Sequence, residues 1–492
     1  MRKIKIITYS FIFILISCSD NFLDRKPQGL LISGTFPETE DDAIMATNAI
    51  YNTLRIWHIH SGGFPIMDIA SDEATKGSNP GDGSAISVYD NFTYQSNEGS
   101  LDRWWRTLYQ GIRRANLVIV NLPSSSSVSE PLKTRLLGEA RFLRAYFYST
   151  LVRSFGDVPK VLEIDPPLNL TRAPSSEIYN EIIFPDLEFA ATNLPEKSDY
   201  GPEDLGRVTR GAAKGLLARM YLFLGDFANV EKYCTEIINS GQYDLESDYS
   251  FAFDEYHENG VESLFEIGAL PFSFSEGGNQ YANTLGVRGT PNRGWGFGRP
   301  SYPLITSFDQ DDPRLDKTVV FLNEIIEGVI ITGDGSTPDT TRIDNQIVEI
   351  ECYNQKIWTS GSGTDENWGH NKRIIRYADV LLMAAEAHNE LNQPDQALIY
   401  LNSVRNRARH GNNTLLPDII TTDQALLRQA IYDERSYELA LEGLRFWDLI
   451  RTNRAESILS PMGFIKGIHE LFPIPQSEID ISEGRILQNF GY

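Results

Sequence analysis

Cysteine, histidine and methionine are scarce in this 492-residue chain, with 3, 7 and 6 copies. Three cysteines exclude a disulfide-dense scaffold. The sequence has no His-Glu-x-x-His, Cys-x-x-Cys, Gly-x-Ser-x-Gly or phosphate loop ending in Gly-Lys-Ser/Thr. That removes the usual signatures of zinc peptidases, thiol redox centres, serine hydrolases and nucleotide enzymes. Positive charge is also in deficit: 44 Lys and Arg face 67 Asp and Glu, for a net charge of −23. Such a body repels nucleic acid and anionic lipid surfaces. Long apolar runs are missing as well. The most apolar stretch, Ile6 to Ile16, spans roughly 17 Å as a helix, against a hydrocarbon core of about 30 Å.

What is there begins with an address. Arg2, Lys3 and Lys5 precede that apolar stretch, as in a secretory leader, and the run ends Leu15-Ile16-Ser17-Cys18. This ending resembles a bacterial lipobox, which predicts a signal peptide over 1–17 and an acylated Cys18 as the new N-terminus. The competing reading is cleavage nearby with an incidental cysteine. Several acyl chains together hold a protein on a membrane, at about 0.8 kcal/mol for each buried CH₂. Cys234 falls in a helical pattern and Cys352 in a strand-like one, so both are read as buried thiols rather than a bridge.

Helical periodicity is predicted over 38–56, 101–121, 131–155, 175–193, 209–240, 373–410 and 423–458. Loop-rich stretches fill 57–100, 242–310 and 328–371, with short strand-like alternations such as Ile347-Val348-Glu349-Ile350. Two helical segments repeat one spacing: Ala385, Ala397, Leu401, Val404 and Ala218, Val230, Cys234, Ile237. Two half-units, Gly111-Ala115-Val118-Pro123 and Ile183-Leu187-Ala190-Pro195, close alike on "NLP". Small residues at these places let helix pairs approach, as in tetratricopeptide-type repeats.

A series of longer motifs then points to one family. "CSDNFLDRKPQG", "ATNAIYNTLR", "DIASDEATKG" and "WWRTLYQGIRRANLVI" lead into "EARFLRAYFYSTLVRSFGDVP" and "VTRGAAKGLLARMYLFLGD". "IIRYADVLLMAAEAHNEL", "ERSYELALEGLRFWDLIR", "LFPIPQSEID" and a final "QNFGY" follow. In this order the chain resembles the SusD/RagB outer-membrane lipoproteins of Bacteroidetes. The resemblance implies a mostly α, tetratricopeptide-like helical-repeat scaffold with loop-rich insertions over 18–492, an N-terminal part (18–240) and a C-terminal part (241–492) sharing one frame. It also implies a surface lipoprotein that binds a glycan and caps a SusC-like TonB-dependent transporter, with no catalysis and no cofactor. Peptide cargo under the same lid role and a secreted glycan hydrolase are the alternatives.

Most of these motifs read as architecture. Glu139, Arg141 and Arg144 are expected to form internal ion pairs, and Glu434, Glu438 and Glu442 to pair with Arg435, Arg445 and Arg451 along one helix. His58 and His60 lack a third ligand for a metal, and Asp309, Asp311 and Asp312 lack the spacing of a calcium loop. Binding chemistry belongs to the insertions. A sugar suits exposed aromatic rings flanked by polar side chains. Trp57, Trp295, Trp358 and Trp368 all lie in the loop segments, whereas Trp104, Trp105 and Trp447 follow helical patterns. The expected contact residues are Trp57, Tyr89, Tyr281, Arg293 and Trp295.

Overall fold

The computed structural model describes residues 36–59, 64–167, 169–272, 277–309, 311–359 and 369–492. Cys18, His60 and Trp368 lie outside them.

Thr39 starts the first helix. Its hydroxyl accepts the Asp42 N–H, the Asp42 carboxylate accepts the Thr39 N–H, and Glu40 to Asp42 place negative charge at the positive helix end. This α1 (Glu40–Leu54) packs against α2 (Gly99–Asn121), from which the chain passes to α3 (Glu130–Phe155) and its partner α4 (Phe184–Asn193). The hairpins α5 (Arg210–Leu224) with α6 (Phe227–Asn239) and α7 (Tyr377–Glu390) with α8 (Pro394–Ala408) complete four units. Each hairpin stacks on the next through α2–α3, α4–α5 and α6–α7, and α9 (Gln424–Glu438) covers α7. The fold is the mostly α, tetratricopeptide-like frame that the spacing predicts.

Burial explains the spacing. Ala218, Val230, Cys234, Ile237, Ala385, Ala397, Leu401 and Val404 are each at most 1% exposed. The two half-units are second helices, α2 and α4, whose partners precede them across insertions or a longer connection. A Cβ on Gly111 would stand 2.4 Å from the Phe147 ring, so the close approach of α2 to α3 requires glycine. Cys234 and Cys352 are free and buried, and burial pushes both thiols up, Cys352 to about 12.

The motif charges are internal, as expected for the first group. Arg144 donates to both oxygens of Asp186 at 2.7 and 2.9 Å, and Glu139 accepts from Tyr51 and Arg207 at 2.9 Å. The second group corrects the local-pairing expectation. Glu434 reaches Arg314 and Arg405, Glu438 reaches Arg314, Arg376 and Arg407, and Glu442 reaches Arg376 and Lys356. Arg435 pairs with Asp379 and Asp448, and Arg445 with Asp72. Glu434 and Glu438 lie on the buried face of α9, against arginines of other elements, and Glu442 lies past the end of that helix. The helical course also breaks at residues 439–444 before α10 (Arg445–Arg451), with Gly443 at φ +79°.

Short antiparallel pairs stitch the insertions together. β1 (Ala74–Gly77) pairs with β3 (Phe297–Pro300), Ala74 opposite Pro300 and Gly77 opposite Phe297. β2 (Ser263–Ile267) pairs with β6 (Lys372–Arg376), and β4 (Val319–Phe321) with β5 (Cys352–Asn354). The first and middle insertions thereby meet at one end of α1.

Candidate functional site

Past Leu54, α1 ends in a tight turn: the N–H of Arg55 donates to the Asn52 carbonyl and that of Ile56 to the Thr53 carbonyl. A guanidinium nitrogen of Arg55 donates 3.1 Å to the Gly278 carbonyl, anchoring this turn to the middle insertion. Trp57 emerges from the turn with 38% of its surface exposed. Trp295 is delivered by a compact loop. Its N–H donates 2.8 Å to the Asn283 carbonyl, the Gly294 N–H donates 2.9 Å to the Val287 carbonyl, and β3 follows at once. A Cβ on Gly294 would sit 2.5 Å from the Asn283 carbonyl, so the loop closes only with glycine there. The two indoles meet with centroids 5.5 Å apart and planes inclined at 52°, Trp295 being half-buried. Residues 238 positions apart thus form one aromatic surface.

The turn that presents Trp57 also borders a polar cleft through Arg55. This cleft, of about 210 Å³, runs along α1 from Arg55, lined by Asn48, Tyr51, Glu203, Arg207 and Glu266. His58, next to Trp57, is held below the usual histidine range by burial and by Arg103, so it is a neutral donor and acceptor near pH 7. Such a surface offers C–H faces an apolar floor and hydroxyls both kinds of hydrogen-bonding partner. Sequence reading found the tryptophans but not Arg55 or the cleft. The signal for Arg55 lay in the helix-ending "NTLRIW", where an arginine precedes the exposed ring.

The other expected contact residues stand elsewhere. Tyr89 is fully buried: its hydroxyl bonds the Ser100 hydroxyl at 2.6 Å and its ring stacks on Tyr94 at 5.4 Å. It presents no face to a ligand. Tyr281, 3% exposed, accepts from the Lys372 ammonium at 2.7 Å and packs with Ala282, Leu285 and Ile357. Arg293 is 5% exposed, with its guanidinium 5.5 Å from the centre of the Trp358 ring and 4.0 Å from Glu327. These three are corrections. Their loops pack on themselves, and polar tips of Tyr and Arg found partners inside. Asp312 likewise is spent on Arg314, at 2.8 Å. Among the described residues, no group of three or more His, Cys, Asp or Glu is placed to hold a metal ion.

Comparison with known proteins places the chain. The model of the SusD family matches residues 262–492, and a second family model, described as starch-binding associating with outer membrane, matches residues 66–222. The chain belongs to the SusD family. A SusD-like protein of Formosa agariphila is 27% identical over 98% of this chain and 97% of its own length. A laminarin binding SusD-like protein shares 28% identity and superposes with a TM-score of 0.77, covering 92% of this chain and all of that one. Surface glycan-binding protein A from Bacteroides thetaiotaomicron, in complex with laminarihexaose, is 26% identical with a TM-score of 0.76 over 92% of this chain and 99% of that one. The SusD-family frame is therefore present across both halves. Among the described residues, no helix is long and apolar enough to cross a membrane.

Proposed function

We propose that this SusD-family chain captures an oligosaccharide on the Trp57–Trp295 surface and releases it chemically unchanged. The observation that carries the reading is the paired indoles, brought from two separate insertions to one place and left partly open to solvent. Stacking on rigid rings gives apolar contact at little entropic cost, and the neighbouring cleft supplies hydrogen bonds to ring hydroxyls. The names of the relatives support a glycan as cargo, with laminarin and laminarihexaose the first ligands to test. In the same proposal, acyl chains on Cys18 tether the protein to the outer membrane facing outward. It caps a SusC-like TonB-dependent transporter and passes the glycan inward.

The test is calorimetric titration of the full-length protein with laminarihexaose, maltohexaose and a peptide mixture, with parallel assay for new reducing ends. Binding of an oligosaccharide without product supports the proposal. Release of reducing ends, or affinity for peptides alone, contradicts it.

A further inference from the structure

Buried acids of the helical frame are answered by cations. Asp186, Glu262, Asp379, Glu434, Glu438 and Asp448 each hold an arginine in an ion pair. The first insertion treats its acids differently. Asp68 and Glu73, 3% and 2% exposed, and the half-buried Asp90 make no ion pair among the described residues. Each is bonded instead to a backbone N–H of the segment it braces. Asp68 accepts from Gly443 at 2.7 Å and Glu73 from Leu441 at 2.9 Å, both in the break before α10. Asp90 accepts the Lys76 N–H of β1 with both oxygens, at 2.8 and 3.1 Å.

These three bonds stand behind the two indoles. Asp68 belongs to the short helix Phe64–Ile69, whose Met67 lines one cavity with Gly443 and with Ile59, two residues beyond Trp57. β1 pairs with β3, which starts two residues after Trp295, and the Ser78 N–H donates to the Gly296 carbonyl. Asp68 and Glu73 therefore brace the Trp57 side of the aromatic surface, and Asp90 braces the Trp295 side.

Negative charge on these carboxyls works against the bracing. Burial raises the Asp68 carboxyl to about 6, against Lys372 of β6, Lys356 and the Gly443 N–H, and Glu442 of the break adds to the rise. Burial likewise lifts Glu73 well above the usual carboxylate range; Arg445 of α10 and the Leu441 N–H oppose this, Asp72 and Asp68 add to it. Asp90 rises to about 7 through burial and Glu349, against the Lys76 N–H, the Lys76 ammonium and Arg299 of β3. A carboxyl that keeps its proton better in the closed insertion than in an opened, solvated one favours closure while protonated. Part of that hold is lost as pH rises through the closed-state value and the group ionises.

We propose that Asp68 and Asp90 make the first insertion a proton-controlled brace, closed more firmly in mild acid and opening more often in mild base, and that only its closed form captures glycan. The brace rests on the fold alone, and its link to capture rests on the glycan proposal. With 3.8 for the opened carboxyls, ionisation between pH 5.5 and 8 makes opening more frequent by about fourfold through Asp68 and about thirtyfold through Asp90. An opening that solvates both groups only in part shows a smaller product of the two.

Amide hydrogen exchange of the full-length protein at pH 5.5 and 8, corrected for the intrinsic pH dependence of exchange, tests it. Residues 64–92 are expected to exchange about tenfold faster or more at pH 8. Asp68→Asn combined with Asp90→Asn, which keeps an oxygen for each N–H, is expected to flatten that rise. An unchanged rise in this variant overturns the proposal. If the variant does not fold, the natural protein decides: corrected exchange that does not rise between the two pH values overturns the brace. Laminarihexaose at ten times its Kd is expected to slow exchange of the same residues about tenfold. Laminarihexaose that binds without slowing it overturns the link to capture, whereas failure to bind counts against the glycan proposal and leaves the exchange result to judge the brace.

Discussion

A ring meets a sugar only if one of its faces reaches solvent, and that criterion separates the aromatic residues of the insertions. Trp57→Ala and Trp295→Ala are each expected to weaken oligosaccharide binding about tenfold, near 1.4 kcal/mol, with little change in unfolding temperature. Tyr89→Ala is expected to do the reverse, costing about 3–5 kcal/mol of stability as a buried aromatic and leaving the affinity of the folded protein intact. Denaturant unfolding beside titration distinguishes the two patterns. Asp90 gives a pH prediction. Burial raises its carboxyl to about 7 against the Lys76 N–H, which lowers it. A folded pKa above the unfolded 3.8 means the native state holds the proton more tightly. The associated stability is present below about pH 4 and is lost as pH rises through 7. Between pH 5 and 8, unfolding free energy is therefore expected to fall by about 2 kcal/mol more in the natural protein than in Asp90→Asn.

At the scale of elements, contacts between helices carry the frame. The buried pair Arg144–Asp186 ties α3 to α4, and Asn116 of α2 accepts from the same arginine at 2.9 Å. Arg144→Ala leaves an uncompensated buried carboxylate and is expected to cost about 3–5 kcal/mol in denaturant unfolding. Gly111→Ala, by forcing Phe147 aside, is expected to cost about 1–3 kcal/mol. The helices were legible in the sequence because a stripe buried on one side leaves a period of 3.6, as with Ala218, Val230, Cys234 and Ile237. Partners across insertions were not. Nothing local in the sequence tells that α1 packs on α2, or that Glu438 answers Arg314, Arg376 and Arg407 rather than an arginine of its own helix. The site was half legible for the same reason. Composition marks the loops as aromatic and polar, but whether a ring such as Tyr281 faces out depends on Lys372, 91 residues away.

For the whole molecule, the net charge of −23 sets limits on cargo. A neutral glycan held by stacking and hydrogen bonds is largely indifferent to salt. Its affinity is expected to change less than about twofold between 50 and 500 mM sodium chloride, while capture through charge pairs weakens strongly across that range. Titration at the two concentrations measures this. The account as a whole rests on two tryptophans from distant insertions acting as one binding surface. Its most direct test is a crystal structure of the protein with the tightest-binding oligosaccharide of the titration series. A sugar ring lying about 4 Å from Trp57 and Trp295, with hydroxyls turned to the Arg55 cleft, is the predicted result. A glycan ordered elsewhere on the protein, with both indoles untouched, contradicts it.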